Sequence, residues 1–229
     1  MTYLKPKDGF LGLEGDLAKA PESADAVIVP FGVEQSVSFG GGTARGPMAM
    51  IEASHQVELF DDELWCEPIR RFSVATRAPF KIATPLAKAM DQIEAEVAAI
   101  LDAGKFPMVF GGEHSLSAGI ARALVKRYPD LAILHFDAHA DLRDGYDGEP
   151  YSHAAALRRC LDHETVRLVS IGIRNISAEE IPFLEANRHR IAIHWGRDRK
   201  SYDPVAIAEQ LNGRPTYVTV DVDGFDSSL

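Results

Sequence analysis

Leu131-Ala132-Ile133-Leu134-His135-Phe136-Asp137-Ala138-His139-Ala140-Asp141 is an apolar run of strand length that stops at three polar side chains spaced two residues apart. The run reads as a buried strand. Working outward, comparable strand candidates lie at 106–110, 167–171, 190–194 and 216–220, and helix candidates fall between them at 115–128, 153–162, 178–187 and 204–212. Upstream, 26–31 is a further strand candidate, and Gly46-Pro47 opens a helix over 46–58. A helix over 85–103 repeats Leu86, Met90, Ile93, Val97, Ile100 and Leu101 at helical spacing and closes at Gly104. Strands alternating with helices predict an α/β fold, a mainly parallel sheet covered on both faces. No repeat or linker divides the chain, so one domain over 1–229 is expected.

Open parallel sheets bind ligands beyond the carboxyl ends of their strands. Gly111-Gly112-Glu113-His114-Ser115, the Asp137 cluster and Asp221-Val222-Asp223 all follow strand candidates, so three distant segments can meet in one pocket. Alternate side chains of an extended segment face the same way, at about 3.3 Å per residue. Asp137, His139 and Asp141 can thus converge, as can Asp221 and Asp223. A single aspartate at such a place is ordinary, since Asp favours turns and helix caps. Polar groups at alternate positions directly after an apolar strand are costly without partners. The glycine pair before His114 permits backbone angles that aim the imidazole over the sheet.

These donors are mostly carboxylates with a minority of imidazoles, more than one ion of ordinary coordination needs. The set suits two carboxylate-bridged divalent ions of hard or borderline type such as Mn²⁺, and scarce cysteine argues against a thiolate zinc site. Ions about 3.5–4 Å apart lower the pKa of a shared water, which makes hydrolysis the expected chemistry. His153 is the best placed group in sequence to carry protons. His135 is expected to face away from the cluster or to support it, and His194 and Trp195 to lie at a pocket rim.

With 24 Lys+Arg against 34 Asp+Glu, the net charge of −10 disfavours attraction to nucleic acid or an anionic membrane and suits a small cationic substrate. Cys66 and Cys160 match no disulfide or zinc spacing and read as reduced thiols. Neither a leader segment nor an apolar run long enough for a membrane span is present, so a cytoplasmic protein is expected.

The three motifs, Gly-Gly-Glu-His-Ser at 111–115, Phe-Asp-Ala-His-Ala-Asp-Leu at 136–142 and Asp-Val-Asp-Gly-Phe-Asp at 221–226, together resemble the ureohydrolase family of arginases and agmatinases. The glycine-rich segment 40–47 is also similar to that family. The resemblance implies a three-layer α/β/α arginase-like fold and two Mn²⁺ per chain. By motif, His114, Asp137, Asp141 and Asp221 would hold one ion and Asp137, His139, Asp221 and Asp223 the other, with Asp137 and Asp221 bridging. His153 matches the family's proton-shuttling or substrate-contacting histidine, and Asp141 is counted with it as catalytic.

The implied reaction is attack of metal-bound hydroxide on a guanidinium carbon, releasing urea and a primary amine. Tyr151-Ser152-His153-Ala154-Ala155 and Asn175 depart from the arginase pattern and disfavour arginine. Agmatine is the favoured substrate, yielding putrescine in polyamine biosynthesis; guanidino acids and formiminoglutamate remain alternatives. The resemblance also implies a homo-oligomer. Family members continue past the third motif with a segment carrying a substrate-binding Glu, whereas this sequence stops at Ser227-Ser228-Leu229. A C-terminally incomplete domain is therefore expected, and a metal-binding protein without turnover is a further alternative.

Overall fold

Seven strands and six α-helices follow one another in a computed structural model that describes residues 1–225. Asp226, which closes the third motif, and the Ser227-Ser228-Leu229 end lie outside the described residues. The chain forms two compact units, Met1–Glu113 and His114–Leu229.

In the first unit, β1 (Ala26–Phe31) is flanked by β2 (Val74–Thr76) and β3 (Phe106–Gly111), all parallel. β1 is apolar along nearly its whole length because a central strand covered on both faces has no solvent side to alternate with. Helix α1 (Gly46–Ala53) is followed by a 3-10 turn (Ser54–Gln56), so the expected helix over 46–58 is shorter and changes pitch. Ile28, Ile51 and Phe110 form a core cluster, and Phe10 meets Phe110 edge-on at 5.4 Å.

Helix α2 (Leu86–Asp102) buries the expected stripe of Leu86, Met90, Ile93, Val97, Ile100 and Leu101. It ends as the glycine after it suggests: Gly104 N donates to Leu101 O at 2.9 Å and Lys105 N to Ile100 O at 3.1 Å, satisfying two terminal carbonyls. The unexpected strand is β2. Its three residues are too few to display an alternation of period two.

The second unit carries a four-stranded parallel sheet in the order β6-β5-β4-β7, built from β4 (Ala132–Phe136), β5 (Arg167–Ile173), β6 (Ile191–Trp195) and β7 (Thr216–Val220). Helices α3 (Leu116–Arg127), α4 (Ala156–Cys160), α5 (Ile181–Ala186) and α6 (Pro204–Glu209) lie between the strands in sequence. The expected helix over 153–162 resolves into a 3-10 turn (His153–Ala155) and a short α4. Leu131, Ile133, Leu142, Leu157 and Leu161 are fully buried here. Burying side chains of this size contributes about 1.5–3 kcal/mol each. β7 presents Val218 and Val220 to solvent. Among the described residues, no helix is long and apolar enough to cross a membrane.

Candidate metal centre

The strand order places β4 directly beside β7, so Asp137 and Asp221 emerge from adjacent carboxyl ends. Asp221 N donates to Phe136 O at 2.8 Å and extends that pairing one residue past the strands. His114 approaches from the residue pair that precedes α3. The glycines before it keep ordinary backbone angles, contrary to the expected unusual turn. Gly112 is required for a different reason: a Cβ there would lie 2.1 Å from Val33 O, inside the first unit.

His114 Nδ1 lies 2.9 Å from Asp141 Oδ2, 3.1 Å from Asp137 Oδ2 and 3.7 Å from Asp221 Oδ2. His139 Nδ1 lies 3.0 Å from Asp223 Oδ2 and 3.6 Å from Asp137 Oδ1. Asp137 therefore turns one oxygen to each histidine. All six expected ligands fall into two groups that share this carboxylate.

The local backbone that achieves this is not a continuous extended strand. Alternation carries the chain from Asp137 to His139, which bridges in parallel to Asn175. Asp141 then adopts a left-handed φ of 53°, an uncommon conformation for a residue with a side chain. That turn sends its carboxylate to His114 rather than to His139. The third motif also bends: Asp221 caps a 3-10 turn (Val222–Gly224), so Asp221 and Asp223 point to different histidines. Gly224 allows this bend to pack closely, since a Cβ there would lie 2.9 Å from Asp137 N.

Burial separates the two groups. The Asp137 side chain is 1% exposed, while those of His139 and Asp223 are 49% and 46% exposed. One group is closed and the other faces solvent, so a small molecule can approach from the His139 side.

Electrostatics show what the cluster lacks. Burial works against a charged His114 imidazole, but its hydrogen bonds to the Asp137 and Asp141 carboxylates outweigh it and hold its pKa well above the ordinary histidine value. Asp137, although burial opposes it, is held far below the usual carboxylate range by His114 and His135. Burial pushes Asp141 up against the pull of His114. Asp223 is also raised, by burial and then by the neighbouring charges of Asp221 and Asp137, against a hydrogen bond from Ala138 N. Asp141 and Asp223 thus resist losing their protons, and a divalent cation held beside them would stabilise their charged forms.

His135, completely buried, supports the cluster. Its Nε2 lies 2.8 Å from Asp137 Oδ2 and its Nδ1 3.0 Å from Ser170 Oγ. His135 comes near enough to His114 and Asp137 to complete a metal-binding triad, and like His114 it has partners within the protein at both ring nitrogens. His135 helps to fix the Asp137 carboxylate.

Thr219 and Ser117 extend this polar layer. Thr219 Oγ1 is 3.0 Å from His114 Nε2 and 3.2 Å from Ser117 Oγ, which is 3.0 Å from Tyr217 OH. Thr219 was legible in principle: it lies two residues before Asp221 on a strand, hence on the same face. Glu180 was not. It forms a capping box with Ser177 and accepts from Leu142 N at 2.8 Å, fixing the chain after Asp141 from 38 residues away.

His153 opens the turn before α4, with its ring 6.2 Å from that of Tyr146 and its Nδ1 3.4 Å from Ser152 Oγ. This turn is tied to the metal-ligand segment, since Arg158 N donates to Asp141 O at 3.0 Å and Arg143 N to Ala154 O at 3.3 Å. His194 and Trp195 instead line a separate cleft of about 260 Å³ with Tyr202 and Gln210.

The sequence and the fold both have relatives among known proteins. A family model described as "Arginase family" matches residues 24–229. The chain is 36% identical over 207 residues to an agmatinase of Bacillus subtilis (strain 168), covering 90% of this chain and 70% of that protein. It is 32% identical over 223 residues to an N(1)-aminopropylagmatine ureohydrolase of Synechocystis sp., covering 93% of this chain and 72% of that protein. Among solved structures, the agmatine ureohydrolase of Thermoplasma volcanium superposes with a TM-score of 0.80 at 28% identity, covering 93% of this chain and 72% of that one.

Proposed function

The chain belongs to the arginase family, and on that premise we propose that it is a manganese-dependent amidinohydrolase that converts agmatine to putrescine and urea. The observation that carries this reading is the shared Asp137 carboxylate, 3.1 Å from His114 through one oxygen and 3.6 Å from His139 through the other. His114, Asp141 and Asp221 complete one ion position around Asp137. His139, Asp223 and Asp221 complete the second. The carboxylate and imidazole donors suit Mn²⁺, and a pair of such ions supplies the Lewis acidity that makes water nucleophilic at neutral pH.

The protein's own groups do the rest. Asp137 and Asp141, held by His114 and His135, keep the buried position rigid. The net charge of −10 favours the approach of a cationic guanidinium. Hydrolysis adds water to the guanidinium carbon and breaks its bond to the alkyl-bearing nitrogen, which must gain a proton as the amine leaves. His153 is the residue proposed to carry that proton.

Agmatine is favoured over arginine because the 151–155 segment and Asn175 depart from the arginase pattern, and because the relatives at 36% and 32% identity are named for amine substrates. The reading includes a cytoplasmic homo-oligomer, with residues 1–229 serving as one ureohydrolase domain. Its test is urea release from agmatine, arginine and guanidinobutyrate by the Mn²⁺-loaded protein, with metal counted per chain. Selective turnover of agmatine supports it. Preference for guanidinobutyrate would assign a guanidino-acid hydrolase, and two bound ions without urea would leave a metal-binding protein.

A further inference from the structure

Three segments must be held together for the solvent-facing half of the cluster to exist: 137–141 after β4, 174–175 after β5 and 221–225 after β7. Backbone bonds join the first two. Arg174 N and Asn175 N donate to Ala138 O at 2.8 and 3.0 Å, and Ala140 N donates to Asn175 O at 3.2 Å. A side chain also ties in the third. The Arg174 guanidinium donates to the Asp223 carbonyl, to Phe225 O at 3.4 Å and to Gly172 O at 3.4 Å.

The placement of this arginine follows from the sheet. Pairing between β5 and β6 slips in register between Ile171 and Ile173, immediately before Arg174, and such irregularities re-aim the side chains that follow. The planar guanidinium can then serve several carbonyls at once, which an ammonium on a flexible stem does poorly. Asp223 is consequently gripped from two sides. Its Oδ1 accepts from Ala138 N at 3.1 Å while its carbonyl accepts from Arg174.

We propose that Arg174 is a positioning residue for Asp223: it clamps the 222–225 turn so that the Asp223 carboxylate stays beside His139. The solvent-facing ion position depends on this clamp, and the buried position at His114 does not. The clamp acts on the Asp223 carbonyl, not its carboxylate. This inference rests on the two-ion reading, but its geometry can be examined without metal.

The test compares the parent protein with Arg174→Ala and Arg174→Lys. In metal-free protein, amide hydrogen exchange at Ala138 should quicken by about tenfold in Arg174→Ala, the scale of losing a charge-assisted hydrogen bond. Exchange at Leu134 and Val169, within the strands, should stay at the parent rate. In a calorimetric Mn²⁺ titration, one ion should bind with parent affinity and the other about 10–100-fold more weakly. Arg174→Lys should lie closer to Arg174→Ala than to the parent, because the charge remains and the fork is gone.

Unchanged Ala138 exchange, two ions bound as tightly as in the parent, or equal weakening of both ions would overturn the proposal. A parent that binds fewer than two ions refutes the two-ion reading separately; Ala138 exchange then decides the clamp by itself, faster exchange supporting it and parent-like exchange overturning it.

Discussion

His114 and Thr219 meet behind the ligand cluster, Nε2 to Oγ1 at 3.0 Å, while Nδ1 of the same ring faces Asp141 at 2.9 Å. A hydroxyl that accepts the Nε2 proton leaves the Nδ1 lone pair for a cation. Thr219→Val keeps the shape and removes the acceptor, so Mn²⁺ affinity at the buried position should fall by about 10–100-fold. Thr219→Ser should restore most of it. Calorimetric titration of both variants checks this, and parent-like affinity in Thr219→Val would show that the hydroxyl does not orient the ring.

Gly224 packs against the Asp137 backbone, where an added Cβ would sit 2.9 Å from Asp137 N. Gly224→Ala must displace the 222–225 turn or the bridging aspartate. Since a misplacement of about 1 Å can cost about 100-fold in rate, urea release should drop by that order while the strands remain folded. Steady-state assays with circular dichroism would separate the two, and full activity in this variant would mean that the turn has freedom the packing denies it.

Replacing His153 by alanine removes the proposed proton carrier without touching a metal ligand. The expected loss in kcat is about 10²–10⁴-fold, with metal content unchanged. Should kcat hold steady, proton transfer must be assigned elsewhere.

Burial raises the Tyr217 phenol to about 12, against the hydrogen bonds to Ser117 and Thr219 that favour ionisation. The unfolded value is about 10. The neutral phenol is therefore favoured in the folded state, and its contribution to stability is fully present below pH 10 and lost as the pH rises towards 12. Urea midpoints should fall more steeply between pH 10 and 12 in the parent than in Tyr217→Phe, by the linkage slope of about one proton. Equal slopes would indicate that the phenol reaches water.

The order of elements was largely legible because it rests on local patterns: apolar runs of strand length, the helical stripe of α2 and the glycine at its end. Helices α1 and α4 were read too long because their ends switch to 3-10 turns, a change set by packing rather than by composition. The six expected ligands were singled out by their chemistry and their position after strands, and the structure brings them near one another. Their grouping was legible only through the family resemblance, since the extended geometry expected for Asp137 to Asp141 and for Asp221 to Asp223 is interrupted by bends at Asp141 and Val222–Gly224.

The sequence by itself determined which carboxylates and imidazoles follow the apolar strands, because strand-length apolar runs and the polar residues that end them are local patterns. Tertiary structure decided which of them meet. Only the adjacency of β4 and β7 brings Asp221 to Asp137, and only the left-handed turn at Asp141 sends its carboxylate to His114. Supporting contacts from His135, Thr219, Glu180 and Arg174 belong to the same class. They act through hydrogen bonds spanning 2 to 105 residues of sequence, and beyond a strand's own alternation nothing in the order of residues specifies which of these contacts form.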